Sequence, residues 1–164
     1  MSGYTCTRGD VQNAVAVMLE AALWLQEREM PLWAVDEIKA LPETYPANAF
    51  LTLYQSGRPA AAALLLESDP LFWPQIPPGT SGFLHKLSVR RSYAGTGLSL
   101  RMIAYAATLC YNDGKTHLRL DCDASREKLK TLYQSAGFAC LGERTVQTTI
   151  HGAVTVALFE RALR

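Results

Sequence analysis

Apolar residues recur along this chain with two different periods, which divide it into predicted helices and strands. Helical spacing marks residues 11–28, 98–112 and 125–136. A shorter helix is predicted for residues 33–40, after an interruption at Met30-Pro31 and ending near Pro42. Shorter apolar or alternating runs bounded by turn residues predict strands, which lie at 4–8, 50–54, 59–66, from 82 onward, and at 117–122, 138–146 and 153–159.

Local signals support several of these boundaries. Asp10 is a predicted N-cap for the first helix, because a short side-chain oxygen can accept an N–H from the first turn. The alanine and leucine run at 59–66 is compatible with a helix as well, and the preceding Ser56-Gly57 turn favours a β-hairpin. Residues 67–80 contain four prolines around Leu71, Phe72 and Trp73, which predicts a loop whose aromatic residues cap the core or cover a ligand.

Composition limits the classes of protein to consider. The 164 residues predict one domain spanning 1–164, and the order β-α-α-β-β-β-α-β-α-β-β indicates a mixed α+β fold. A formal net charge of +1 favours neither nucleic acid nor an anionic membrane as a partner. No long apolar run or leader pattern is present, so we expect a cytoplasmic protein. Irregularly spaced cysteines predict buried, reduced thiols; they are Cys6, Cys110, Cys122 and Cys140.

A glycine turn joins the predicted strand from 82 onward to the helix at 98–112. The turn, Tyr93-Ala94-Gly95-Thr96-Gly97, is a potential anion site, because glycines allow close backbone approach and a helix N-terminus presents unpaired N–H groups. The phosphate-binding loop of a nucleoside triphosphatase would need Lys-Ser/Thr after the last glycine, where this chain has Leu98-Ser99. A dinucleotide-binding fingerprint would need a glycine in place of Leu100. The turn alone does not distinguish an anion site from an ordinary strand-to-helix connection.

Two motifs in this order resemble the GNAT superfamily of acyl-CoA-dependent N-acyltransferases. Residues 87–99, Leu-Ser-Val-Arg-Arg-Ser-Tyr-Ala-Gly-Thr-Gly-Leu-Ser, are similar to the signature of its fourth strand and pyrophosphate loop. Residues 118–122, Leu-Arg-Leu-Asp-Cys, and the later Tyr133-Gln-Ser-Ala-Gly137-Phe138 are similar to its fifth strand and helix end. The resemblance covers nearly the whole chain and implies a central, mostly antiparallel sheet of about six to seven strands with about four helices.

The resemblance also implies a cosubstrate, acetyl-CoA, and no metal. It assigns coenzyme contacts to Leu87, Ser88, Val89, Tyr93, Ala94, Gly95, Thr96, Gly97, Leu98, Ser99, Arg126 and Tyr133. Three of these positions depart from the family pattern, with Ala94 in place of Arg or Gln, Ser99 in place of Gly or Ala, and Arg126 where Asn is frequent. A lost cation at position 94 would remove a charge-assisted bond worth about 1.5–3 kcal/mol, while the backbone donors remain. Arg90, Arg91 and Arg101 are alternative sources of positive charge.

Acetyl transfer to an amine requires a proton acceptor for the ammonium and a proton donor for the departing thiolate. Tyr133 matches the family's donor, although a tyrosine on an apolar helix stripe is also typical of a core. His85 is the best single candidate for the base, because histidines titrate near neutral pH, although a structural histidine in the core or at a strand edge is the simpler interpretation. An ordered water or another carboxylate could serve instead, and the carboxylate candidates are Asp121, Asp123 and Glu67.

The predicted acceptor is a primary amine of a small molecule, attacked directly in a ternary complex. Trp24, Trp33 and Phe72 are the candidate substrate-binding residues, with core filling as the alternative for each aromatic ring. A catalytically inactive acyl-CoA-binding sensor or regulatory module of the same fold is the alternative function, motivated by Ala94 and by Phe83 where some family members place Glu. Either a monomer or a homodimer is compatible with the sequence.

Overall fold

The computed structural model describes residues 3–29 and 33–164. In this part of the chain the α-helices are α1 (Val11–Glu27), α2 (Val35–Thr44), α3 (Leu98–Asn112) and α4 (Glu127–Ser135). The strands are β1 (Tyr4–Arg8), β2 (Phe50–Gln55), β3 (Arg58–Leu66), β4 (Ser81–Val89), β5 (His117–Asp123), β6 (Ala139–Thr148) and β7 (Gly152–Ala162). This order is the one the sequence predicts. None of the described helices combines the length and the apolarity that a membrane span requires.

The strands form one sheet in the order β1-β2-β3-β4-β5-β7-β6. The pairs β1/β2, β2/β3, β5/β7 and β7/β6 are antiparallel, whereas β4/β5 is parallel. A mixed, mostly antiparallel sheet with helices is the predicted α+β fold class, which is confirmed. The described chain divides into two compact units, Met1–Leu65 with Lys86–Tyr105 and Leu66–His85 with Ala106–Arg164. The single domain over 1–164 stays a prediction.

The first unit is built from α1, α2, the β1–β2–β3 strands and the start of α3. The side chain of Asp10 caps α1 by accepting the N–H of Asn13 at 3.3 Å, as predicted. The β2–β3 hairpin turns at Ser56 and Gly57, whose φ angles of 52° and 78° suit a tight turn between antiparallel strands. The buried face of α1 carries small and medium-sized apolar residues, namely Ala14, Val17, Met18, Ala22 and Leu25.

The predicted bounds of α2 and α4 need correction. α2 begins at Val35 and continues through Pro42 to Thr44. Proline removes only its own N–H donor, and the helical hydrogen bonding resumes after it, since the Tyr45 N–H donates to the Leu41 carbonyl at 3.0 Å. The interruption predicted at Met30-Pro31 lies outside the described residues. α4 begins at Glu127 instead of Ser125, since Ser125 is held in a turn in which its N–H and Oγ both bond to Asp123 Oδ1.

The second unit has a core cluster around the loop at 67–80. Trp73 packs with Phe83, Val156 and Leu158, and it is 1% exposed. Partly buried apolar residues cover this cluster, namely Leu66, Phe72 and Ile76. Of the two interpretations offered for the loop aromatics, core capping therefore describes Trp73.

Cysteine burial differs from the prediction at one position. Among the described residues no disulfide is present, and Cys110 and Cys122 are buried while Cys6 is half-buried. Cys140, however, is exposed, so the expectation of a buried thiol is wrong there. The reason is its place on β6, which is the last strand in the sheet and is exposed along most of its length.

Candidate active site

The glycine turn, residues 93–99, has the backbone conformation that its sequence indicates. Gly95 and Gly97 have φ angles of 77° and 82°, which side-chain-bearing residues adopt only with strain. A Cβ atom at either position would meet no protein atom within 4 Å. The conformation therefore requires glycine at both positions, and space remains open beside the backbone.

Several backbone N–H groups of the glycine turn and of the start of α3 have no acceptor in the part of the chain that the structure describes. Tyr93, Ala94 and Thr96 donate within the turn, to Arg90, Arg91 and Tyr93 carbonyls respectively. Five further N–H groups lack an acceptor among the described residues; they belong to Gly95, Gly97, Leu98, Ser99 and Leu100. Because three of these start the 15-residue helix α3, its positive dipole end lies here. The arrangement can bind a phosphate or diphosphate.

The parallel pairing of β4 with β5 is short. Its register comprises Ser81↔His117, Gly82↔Leu118 and Phe83↔Arg119, and no later pair joins these strands in the described chain. The next residues are Leu84 and His85 on β4 and Leu120 and Asp121 on β5. Just beyond them on β4, Lys86 has a φ of 56°, which breaks regular strand geometry. The two strands therefore stop pairing two residues before His85 and Asp121.

His85 and Asp121 form a group with Asp69 at this point, which we call the acid–imidazole cluster. Its potential ligand atoms all lie within 4.8 Å of one another. His85 Nε2 lies 3.0 Å from Asp69 Oδ2, a distance at which a protonated imidazole would form an ion pair. The alignment of these two buried atoms is not that of a good hydrogen bond. The cluster brings together one imidazole, His85, and two carboxylates, Asp69 and Asp121, and its spacing would also admit a metal ion.

Asp69 is the member of the cluster that the sequence analysis did not identify. Its Oδ1 accepts the N–H of Phe72 at 3.1 Å, and its carbonyl accepts the N–H of Trp73 at 2.8 Å. Burial by itself would raise the pKa of Asp69, but His85 and the N–H groups of Phe72 and Leu71 outweigh burial, and the pKa lies below its usual value. The available signal was the turn sequence Asp-Pro-Leu-Phe, in which an aspartate at the first position commonly accepts a later N–H.

Tyr133 lies in an aromatic environment at the end of α4. Its ring is 6% exposed and packs against Phe138 and Phe159, with ring centroids 6.1 Å and 5.6 Å away. Burial raises the pKa of Tyr133, the nearby Cys122 and Asp121 raise it further, and Arg126 opposes them. The hydroxyl has no hydrogen-bond partner among the described residues. Tyr133 is therefore a neutral, unengaged O–H donor at physiological pH.

Cys122, like Tyr133, is buried away from solvent. Burial, followed by the charge of Asp121, raises the pKa of its thiol to about 11. Cys122 is 7% exposed. A thiol in this state is neutral at physiological pH, which makes it a weak nucleophile.

The other predicted site residues are distributed over both units. In the first unit, the Trp24 ring has the guanidinium groups of Arg28 and Arg91 each 4.1 Å from its centroid. Trp33 has Lys86 Nζ 5.3 Å from its centroid. In the second unit, Phe72 packs on the core cluster. Their roles in substrate binding stay predictions, as do the coenzyme contacts assigned to Leu87, Ser88, Val89 and Arg126.

Two of the fallback carboxylates have other partners. Asp123 Oδ1 accepts the N–H and the hydroxyl of Ser125. Glu67 forms an ion pair with Lys115, which also donates to the Gly79 carbonyl at 3.2 Å. Among the candidate bases named from sequence, His85 and Asp121 are therefore the two that the structure brings together.

The fold, the glycine turn and the interrupted β4/β5 pair together define the class of acetyltransferase-like proteins. The sequence model described as the Acetyltransferase (GNAT) family matches residues 18–138. This chain therefore belongs to the GNAT family, and the predicted resemblance is confirmed.

Relatives and solved structures agree with this placement. The chain is 26% identical over 145 residues to the uncharacterized N-acetyltransferase YesJ of Bacillus subtilis strain 168, covering 81% of this chain and 78% of YesJ. A GNAT-family acetyltransferase from Listeria monocytogenes has a similar fold, with a TM-score of 0.75, 21% identity and coverage of 99% and 98% of the two chains. The putative acetyltransferase yncA from Salmonella typhimurium, solved with acetyl-CoA, has a TM-score of 0.68 at 14% identity, covering 98% and 94%.

Proposed function

We propose that this protein is an N-acetyltransferase that transfers an acetyl group from acetyl-CoA to a primary amine of a small molecule. The observation that carries the proposal is the set of five N–H groups at the glycine turn and the start of α3 that have no acceptor among residues 3–29 and 33–164, inside the stretch that the family model matches. A diphosphate is the anion of acetyl-CoA, and the structurally similar Salmonella protein was solved with acetyl-CoA. The near-neutral net charge of +1 supports a small acceptor over a nucleic acid.

The proposed coenzyme site uses backbone groups more than side chains. The glycine turn would hold the diphosphate, with Arg126 as a further contact, while main-chain groups of Leu87 and Val89 would bond to the pantetheine amides. Ala94 supplies no cation, so we expect binding to depend on N–H groups and on the α3 dipole. No metal is required for this arrangement.

The proposed reaction is direct attack in a ternary complex. An alkylammonium with a pKa of about 10 must lose a proton before its nitrogen can attack, and His85 is the proposed acceptor of that proton. The free amine then bonds to the thioester carbonyl carbon, the carbon–sulfur bond breaks, and the nitrogen loses a second proton as the amide forms. That second proton restores the phenol of Tyr133 after the tyrosine has given its own proton to sulfur. Tyr133 is the proposed donor to the departing sulfur, since burial keeps its phenol protonated and raises its pKa. The products are an N-acetyl amine and free coenzyme A.

Calorimetry and thiol release test the proposal together. Acetyl-CoA should bind in a titration, and a panel of primary amines should include acceptors that release coenzyme A thiol. Tyr133→Phe should lower kcat while leaving acetyl-CoA affinity nearly unchanged, because only the hydroxyl is removed from a packed ring. Binding without thiol release for any amine would contradict the enzyme proposal, and unchanged turnover in Tyr133→Phe would remove Tyr133 from the mechanism.

A further inference from the structure

His85 presents its two ring nitrogens to different surroundings. Nε2 is buried and lies 3.0 Å from Asp69 Oδ2. The side chain of His85 as a whole is 22% exposed. Nε2 is buried and contributes nothing to this exposed surface, so the exposed atoms are other atoms of the side chain. Of the two nitrogens, Nδ1 is therefore the one left for a substrate.

Asp69 is held as an anion against Nε2. The carboxylate is 7% exposed, and its second oxygen accepts the Phe72 N–H at 3.1 Å, which fixes the side chain in the turn that begins at Asp69. A carboxylate anion accepts hydrogen bonds and cannot donate one. The negative charge of Oδ2, 3.0 Å from Nε2, favours the neutral imidazole with its proton on Nε2 and its lone pair on Nδ1, and it does so by proximity, since the two atoms are not aligned as a hydrogen bond.

We propose that Asp69 is a positioning residue that holds His85 in the Nε2–H tautomer, so that Nδ1 accepts the proton of the acceptor ammonium. This inference rests on the proposed function, since it refines the step in which His85 acts as base. The Nδ1 lone pair takes the proton, the amine nitrogen keeps the electron pair of its N–H bond, and the imidazolium that forms is stabilised by Asp69. Asp121, within 4.8 Å in the same cluster, adds a second negative charge close to this cation.

The substitution Asp69→Asn separates positioning from packing. Asparagine keeps an oxygen that can accept the Phe72 N–H, but its amide N–H₂ would face Nε2 and donate to it. The tautomer should therefore reverse to Nδ1–H, which leaves the substrate-facing nitrogen without a lone pair. We expect kcat for the best amine to fall by about 10²-fold or more, the range of general base catalysis, with acetyl-CoA affinity within about twofold of the parent.

Nitrogen-15 NMR of histidine-labelled protein reads the tautomer without any need for turnover. Only three histidines are present, so His117→Gln and His151→Gln spectra assign the His85 signals by elimination. The matched control is Asp10→Asn, which removes the same charge from another aspartate that accepts a backbone N–H and has no histidine beside it. It should leave both the His85 spectrum and kcat unchanged, because asparagine caps helices about as well as aspartate.

The outcomes distinguish the inference from the proposed function. An Nε2–H signal in the parent, an Nδ1–H signal in Asp69→Asn and the loss of kcat together support the inference. If the parent transfers acetyl groups while His85 is Nδ1–H, or if Asp69→Asn changes neither tautomer nor kcat, the inference is overturned and the proposed function stands. A parent that releases no thiol with any amine overturns the proposed function and the base assignment with it. Stoichiometric metal on the parent by elemental analysis, lost in Asp69→Asn, would instead make the cluster a metal site and overturn the inference.

Discussion

The glycine turn and the acid–imidazole cluster present their polar groups in opposite physical ways. The turn and the start of α3 present backbone N–H groups from one continuous segment, in which residues 94–97 are exposed and Leu98 is buried. The cluster presents side chains from three separate segments, and Asp69 within it is 7% exposed. Backbone N–H donors remain after most side-chain substitutions, whereas the interactions of a buried side-chain cluster are lost when any one of its polar groups is replaced. The two regions should therefore respond to different kinds of substitution.

The largest effect is expected in the cluster. His85→Gln keeps a hydrogen-bonding side chain of similar reach but cannot take up a proton at neutral pH, so kcat should fall by about 10²–10⁴-fold. Acetyl-CoA affinity measured by calorimetry should stay close to that of the parent. His117→Gln, at the start of β5 with its ring beside the Thr116 hydroxyl, is the control and should retain kcat. A His85→Gln enzyme with parental kcat would assign proton removal to water or to another residue.

Desolvation around Tyr133 can be measured through its neighbour Cys122. With the thiol pKa raised from 9.0 to about 11, the thiolate fraction at pH 8 is about 100-fold lower than for an ordinary cysteine. Iodoacetamide should therefore alkylate exposed Cys140 at least about 100-fold faster than Cys122, as followed by mass spectrometry of the separated peptides. Equal rates at the two sites would show that this region is open to solvent.

In the glycine turn the sensitive feature is the backbone. Gly97→Ala adds a methyl group at a φ of 82°, beside the unpaired N–H groups, and should weaken acetyl-CoA binding by about 10- to 100-fold, the value of one charge-assisted hydrogen bond. Gly57→Ala, at a φ of 78° in the β2–β3 turn, is the matched control because its added Cβ would also meet no protein atom within 4 Å.

Both alanine variants should lose about 1–2 kcal/mol of unfolding free energy through left-handed backbone strain, but only Gly97→Ala should lose affinity. Calorimetry and urea denaturation measure the two quantities separately. Equal affinity in both variants would show that the turn does not contact the coenzyme.

The smallest effect concerns stability at low pH. The folded pKa of Asp69 lies below its unfolded value, so its stabilising contribution is complete above about pH 4 and is lost as the pH falls through the folded pKa. The difference in unfolding free energy between the parent and Asp69→Asn should therefore shrink between pH 5 and pH 3, by about 1.4 kcal/mol for each unit of pKa shift. Urea denaturation at several pH values measures this, and a difference that stays constant would contradict it.

Much of the fold and one region of the site could be predicted from sequence. Periodicity located all the strands and the helices, and it failed only at bounds such as Pro42 and Ser125, where one backbone hydrogen bond decides whether a turn is helical. The glycine turn was identifiable because its determinants, two glycines and a following helix, are adjacent in the chain. The exposure of Cys140 was not predictable, since it depends on which strand ends the sheet.

The amino-acid sequence by itself determined the helices and strands, the glycine turn and the family signature, because each depends on residues within a few positions of one another. Only the tertiary structure decided that Asp69 lies against His85 and that β4 and β5 stop pairing just before His85 and Asp121. Contacts between residues 16 and 36 positions apart in the chain carry no local periodic signal. They arise when a proline-rich loop and two parallel strands fold together, and they place Nε2 of His85 against the carboxylate of Asp69.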